Sequence, residues 1–383
     1  MGRTSQFDKL RRSRKRKRFF RRTAAAIAGA ALMLACFMTF AVVYQLDLRS
    51  ALENSLASLK GGGGFPVSLT EVSVQALLPM GGDVAVVTGA GTYIYNGNGA
   101  LLNSCLSSYR TPQTKTAGGK LLTYDLGGNG LRVDNKAKNL YTTTATGTLL
   151  AADIAPTGAI ATVQSAPGVY AQVSAYNPRF ELMYTWMVQD SYITGVSLSN
   201  RGGMMACAGL TMEGQHLVSL LRIHHFDQDE EVARVSLSDQ LIVSMVWNDE
   251  DEIQVVTNRN LYLFSSEGEQ LAMSPLPGEL LTYENVPGGI YVAYGDYRDP
   301  AGVTVLSYTD DLEQAGSASL DRRLISITSD GNHVLILTEG QLYLGDPALR
   351  ELKLRSHSDL YMVCPVGSSI YGVSPDGLIH TLL

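Results

Sequence analysis

From residue 65 onward, apolar residues come in short runs or alternate with polar ones, and Gly, Asn, Asp and Pro bound each run. No long stretch carries the three-to-four spacing of an amphipathic helix, so the pattern predicts an all-β domain. The boundaries recur. Turn-forming residues follow an apolar strand at Gly82, Gly119, Gly158, Gly202, Gly289, Gly331 and Gly367, with Asn248-Asp249 filling the one double gap. The mean period is about 41 residues, which fits the four-stranded blade of a β-propeller.

A second marker repeats with it. Two apolar residues and a Thr are followed five positions later by a Tyr in Val86-Val87-Thr88 with Tyr93, Val255-Val256-Thr257 with Tyr262, and Ile336-Leu337-Thr338 with Tyr343. This reads as a strand, a tight turn and a neighbouring strand, the Tyr serving to pack blade against blade. Blade starts near Val74, Thr111, Leu149, Tyr192, Leu241, Leu281, Leu324 and Leu360 give eight four-stranded blades. Seven is the alternative, because 110–147 is the least regular unit. The last unit has three strands before the chain ends, and Val67-Ser68-Leu69 is left over ahead of the first blade. It is expected to supply the missing strand and close the ring, removing exposed sheet edges. A domain of this length exceeds the usual limit for one core, and stacked blades escape that limit.

The first 64 residues differ. Residues 1–22 hold eleven basic side chains and one acid, and 23–44 (TAAAIAGAALMLACFMTFAVVY) carry no charge. Twenty-two helical residues reach about 33 Å, enough for a hydrocarbon core of roughly 30 Å. The stretch is too long for the apolar part of a signal peptide and ends in bulky residues, and Cys36 lacks the polar tether of a lipoprotein. An uncleaved anchor is expected, its basic flank cytoplasmic and 65–383 outside. The tail reads as a topogenic signal resting on anionic lipid in preference to the alternative, a nucleic-acid-binding arm, since it is too short to fold, and no nucleic-acid partner is expected. Leu48, Leu52, Leu56 and Leu59 recur at helical spacing in a stalk, 45–64, that ends in the run Gly61–Gly64, read as a flexible hinge. The leucine stripe fits a weak dimer seam, or a helix lying on the membrane or on the domain.

Charge divides along the same boundary. The tail carries +10 and the remainder −16, within a total of −6. Outside the span, Cys105, Cys207 and Cys364 are odd in number and scattered, so buried inert thiols are expected and no disulfide framework is implied. No Asn-x-Ser/Thr sequon occurs.

A basic tail, one span, a Gly hinge and blades with turns such as Ser329-Asp330-Gly331 and Ser374-Pro375-Asp376-Gly377 resemble a bacterial family of single-pass, membrane-anchored propellers of unknown function, WD-like or quinoprotein-like in blade type. The Trp-Asp dipeptide is absent, since Met187 follows Trp186 and Asn248 follows Trp247. The resemblance implies architecture and carries over no site residue.

Chemistry is sparse. His224-His225-Phe226-Asp227-Gln228-Asp229-Glu230-Glu231 could bind a divalent metal or be a solvated loop, and adjacent histidines on a strand point to opposite faces. His216, His333, His357 and His380 are isolated in sequence. Nucleophile elbow, zincin, phosphate-loop and dinucleotide signatures are missing. No cofactor or metal site is expected. The candidate binding surface is the acidic first turn of a blade, Asp249, Glu250, Asp251 and Glu252, near one end of the channel. The expected function is a binding or scaffold module for a protein or cell-envelope polymer, with no catalysis. A sensor relaying inward and a hydrolase or lyase in the propeller funnel are the alternatives.

Overall fold

The computed structural model describes residues 33, 48–69, 73–286, 288–355 and 359–383. The chain divides into two compact units, Met1–Ala51 and Leu52–Leu383, and the second holds all the strands. The expected span, 23–44, and the basic tail lie outside the described residues except for Met33. Among the described residues no helix is long and apolar enough to cross a membrane.

Eight antiparallel sheets follow one another, seven of four strands and a last one of three. Each takes its strands in sequence order from the first to the last. The inner strands begin at Val74, Pro112, Leu149, Tyr192, Ile242, Glu279, Leu324 and Met362, within two residues of the starts read from the sequence. The eight-blade count stands, and 110–147 forms an ordinary four-stranded blade. Second strands are the buried ones, along their whole length in Asp83–Thr88, Ile160–Gln164 and Val334–Thr338, while fourth strands such as Leu101–Leu106 alternate with solvent.

The core is a ring of eight clusters, each shared by two neighbouring blades. Val84 and Val86 of blade 1 pack with Tyr371 and Val373 of blade 8, and Phe65, Val67 and Leu69 lie against them. Closure is therefore as expected in place but slighter in form. Val67 makes one antiparallel bridge to Leu378, with N–H···O bonds of 2.8 and 2.9 Å, in place of a full fourth strand.

The repeated Thr and Tyr have distinct roles. Thr88, Thr257 and Thr338 are buried, and each hydroxyl donates across the hairpin to a carbonyl three residues on, at Gly91, Asn260 and Gln341 (2.7, 2.9 and 3.2 Å). Tyr262 and Tyr343 pack into inter-blade clusters, as read.

Because strands alternate in direction, the first and third turns of every blade share one rim and the second turns the other. Of the stalk helix Leu48–Ser58, the part from Glu53 on meets the first of these rims at blades 1 and 2. Asn96 in the third turn of blade 1 donates to the carbonyls of Ser58 and Lys60, satisfying acceptors that a helix end leaves open. Lys136, in the third turn of blade 2, bonds the Gly81 carbonyl (2.6 Å), Asp83 (2.6 Å) and Ser58 (3.2 Å). Lys136 and Asp83 are 5% and 3% exposed, so each neutralises a charge that burial alone would forbid.

Gly61–Gly64 differ from the flexible hinge expected. Gly64 donates to Asn98 (3.0 Å), and a Cβ at Gly62 would collide with the Asn98 carbonyl. The glycines here allow close approach of two backbones.

Candidate binding site

Inner strands have no fifth strand to pair with, so their free edges surround an axial channel. Its cavity measures about 1020 Å³ and is lined from blades 1 to 6. Lys115 on blade 2 reaches Asp153 on blade 3 (2.7 Å), and the other oxygen of Asp153 accepts from the Leu198 amide of blade 4 (2.8 Å). One carboxylate thus ties three inner strands. Burial would weaken the Lys115 ammonium, but the Asp153 charge and hydrogen bond outweigh it and raise its pKa. On blade 6, Tyr283 and Asn285 reach back to Val243 (3.0 Å) and Ser244 (2.7 Å) of blade 5. Glu284 between them points the other way by strand alternation, toward blade 7. Burial drives its pKa up to about 7.

The acidic turn sits at one mouth of this channel. It joins Ile242–Trp247 to Ile253–Thr257 in blade 5, on the rim that carries the stalk helix. Trp247 anchors its start, buried and donating to the Ser197 carbonyl (3.1 Å). Asn248 ties the turn internally: its side-chain oxygen accepts from the amides of Glu250 (3.0 Å) and Glu252 (2.9 Å), and its NH₂ donates to Glu252 (2.8 Å). Asp251 takes the left-handed conformation, φ 61°, that Asp tolerates better than most residues. From blade 4, Asn200 donates to Asp249 (2.9 Å). Asp249 and Glu250 remain exposed.

The structure adds acids that sequence reasoning missed. Asp310 and Asp311, in the third turn of blade 6, lie beside the turn, and Gln254 of blade 5 donates to Asp310 (2.9 Å). Burial raises the Asp310 pKa, Gln254 opposes it, and the negative charges of Asp311, Asp249 and Glu252 push it further up. Blade periodicity was the available signal, since third turns of one blade abut first turns of its neighbour.

The histidine cluster does not form a metal centre. His224 is on a strand, 1% exposed, between Tyr184 (3.0 Å to Nδ1) and Trp186 (ring centroids 4.3 Å) of blade 3. Burial first, and the Arg222 charge second, lower its pKa to about 4. Glu231 pairs with Arg222 (2.6 Å), whose guanidinium stacks over Trp186. His225 lies on the other strand face, so the cluster is a blade-to-blade lock with a solvated loop after it. His216 faces Asp239, His333 faces Asp330, and His380 stacks on Phe65 and lies tilted against Tyr371. These three do not converge, and His357 is outside the described residues. Among the described residues no three potential metal ligands come together. Cys105, Cys207 and Cys364 are buried free thiols, burial pushing each up to about 12.

Ring, blade order and central channel define the protein as an eight-bladed β-propeller. The chain belongs to the DUF5711 family of unknown function, whose sequence model matches residues 67–347. No curated protein sequence matches it. Among solved structures it is similar to the C-terminal WD40 domain of Sif2, with a TM-score of 0.59 at 10% identity, over 84% of this chain and 99% of that one. It is also similar to BamB from Moraxella catarrhalis, with a TM-score of 0.52 at 10% identity, over 81% of this chain and 98% of that one. At such identity the likeness is one of fold alone.

Proposed function

We propose that this is a membrane-anchored, extracytoplasmic propeller that binds a protein or cell-envelope partner and holds it near the membrane. The observation that carries the reading is the acidic turn Asn248–Glu252, locked by its own Asn and by Asn200, continuous with Asp310 and Asp311 at the channel mouth. Such a pre-formed, mainly acidic patch, with Arg201 near Asp251 at its edge (3.8 Å), attracts a basic partner without first having to be ordered. The anchor rests on the uncharged 23–44 run behind eleven basic residues.

Crosslinking in intact cells followed by membrane pull-down tests the binding reading. Asp249→Asn, Glu250→Gln, Asp251→Asn and Glu252→Gln together keep the turn's hydrogen bonds and the tolerance for φ 61°. The fourfold variant is expected to fold and lose its partner; undiminished capture overturns the assignment. Protease added to intact cells is expected to remove 65–383, and a protected C-terminus overturns the topology. Turnover of an envelope substrate by the purified outer domain, abolished by a point substitution in the channel lining, would replace binding with catalysis.

A further inference from the structure

The stalk helix packs the opposite way round from an ordinary surface helix. Its polar side meets the ring: Glu53 pairs with Lys138 (2.7 Å), Asn54 accepts from the Lys136 amide (3.2 Å), and Ser58 joins the buried Lys136–Asp83 pair. Its apolar side is left outside. Leu52, Leu56 and Leu59 are 62%, 61% and 78% exposed, and their four-and-three spacing places them on one stripe. Lys60, just past the helix, is held to the Leu101 carbonyl (2.8 Å).

Resting on the anchor reading above, we propose that this stripe lies on the lipid surface, with the rim of blades 1 and 2 fixed against the bilayer. Chain length argues for lipid. Only residues 45–47 separate the uncharged 23–44 run from the helix start at Leu48. Three residues span at most about 11 Å, so the helix begins in the headgroup region or within a few ångström of it. A helix lying there buries its apolar side about 5–10 Å deep, and this one has no other use for its leucines. A second copy is the rival occupant, but an 11-residue helix offers fewer than two heptads of seam. The Glu53, Asn54 and Ser58 contacts would then make the helix a rigid plate between bilayer and ring.

The test uses the full chain in nanodiscs of phosphatidylcholine and phosphatidylglycerol, with or without lipid spin-labelled at the upper acyl chain. In a Cys36→Ser background, an environment-sensitive fluorophore is placed on Leu56→Cys, and on Tyr297→Cys at the opposite rim as control; the three described native thiols are buried. At position 56, emission should fall at least about two-fold with spin-labelled lipid, and at 297 it should not change. An unquenched probe at 56 on protein that resists alkaline extraction overturns the proposal and leaves the anchor standing. Extraction into the alkaline wash overturns both. Disulfide-linked dimers of unlabelled Leu56→Cys, with an unquenched probe, assign the stripe to a second copy.

Discussion

At the residue scale, two titratable groups, His224 buried and Glu284 half-buried, act in opposite directions. His224 has a folded pKa near 4, below the usual 6.5, so its contribution is complete above about pH 6.5 and is lost as pH falls toward 4. The loss should reach on the order of 2 kcal/mol by pH 5, and His224→Gln should flatten it; urea midpoints across pH 4–7 measure both. Glu284 has a folded pKa near 7, above the usual 4.5. Its stability is complete below about pH 4.5 and is lost as pH rises through 7, because folding resists the charged form. Glu284→Gln should therefore raise stability at pH 8 by on the order of 2 kcal/mol and change little at pH 4. A variant equally stable at both pH values would show that Glu284 is not held in a desolvated place. Thr257 supplies a third test. Thr257→Val removes the hydroxyl that clamps its hairpin to Asn260 and should cost about 1–3 kcal/mol in chemical denaturation.

At the element scale, blades were legible because their pattern is local. A buried second strand, a Gly or Asn at the turn and an alternating outer strand recur every 41 residues or so, and inner-strand starts follow to within two positions. What was illegible depends on contacts between distant segments. The stalk reads as an isolated leucine-bearing helix, and nothing local says that Asn96, Lys136 and Lys138 receive its polar side. Gly61–Gly64 read as loose because glycine permits both freedom and close packing, and only the position of Asn98 decides between them. His224 seemed one of a polar run, yet strand alternation turns it inward against Trp186. At the closure, Val67 holds Leu378 by two main-chain bonds while Phe65, Val67 and Leu69 cover the joint. Deleting residues 65–69 should expose two sheet edges, lower thermal stability and promote aggregation. Soluble protein with an unchanged melting temperature would refute the splice.

At the scale of the whole molecule, charge is distributed so as to suggest an orientation. The stalk-bearing rim has the exposed Leu52, Leu56 and Leu59 and Lys60 under blades 1 and 2, where Lys136 and Lys138 are paired with Asp83 and Glu53, and Asp249, Glu250, Asp310 and Asp311 under blades 5 and 6. A ring resting on the bilayer by the leucine side of its stalk helix would lift its acidic side, opening the channel mouth toward neighbours at the membrane surface. A basic partner would be drawn there, with affinity falling as salt rises past a Debye length of about 10 Å at 0.1 M. The direct test is photocrosslinking in intact cells, with a photoreactive residue at 250 or 311 on the acidic rim and at 297 on the opposite one. The account predicts salt-sensitive adducts to one partner from 250 and 311 and none from 297; adducts from 297 alone would contradict it.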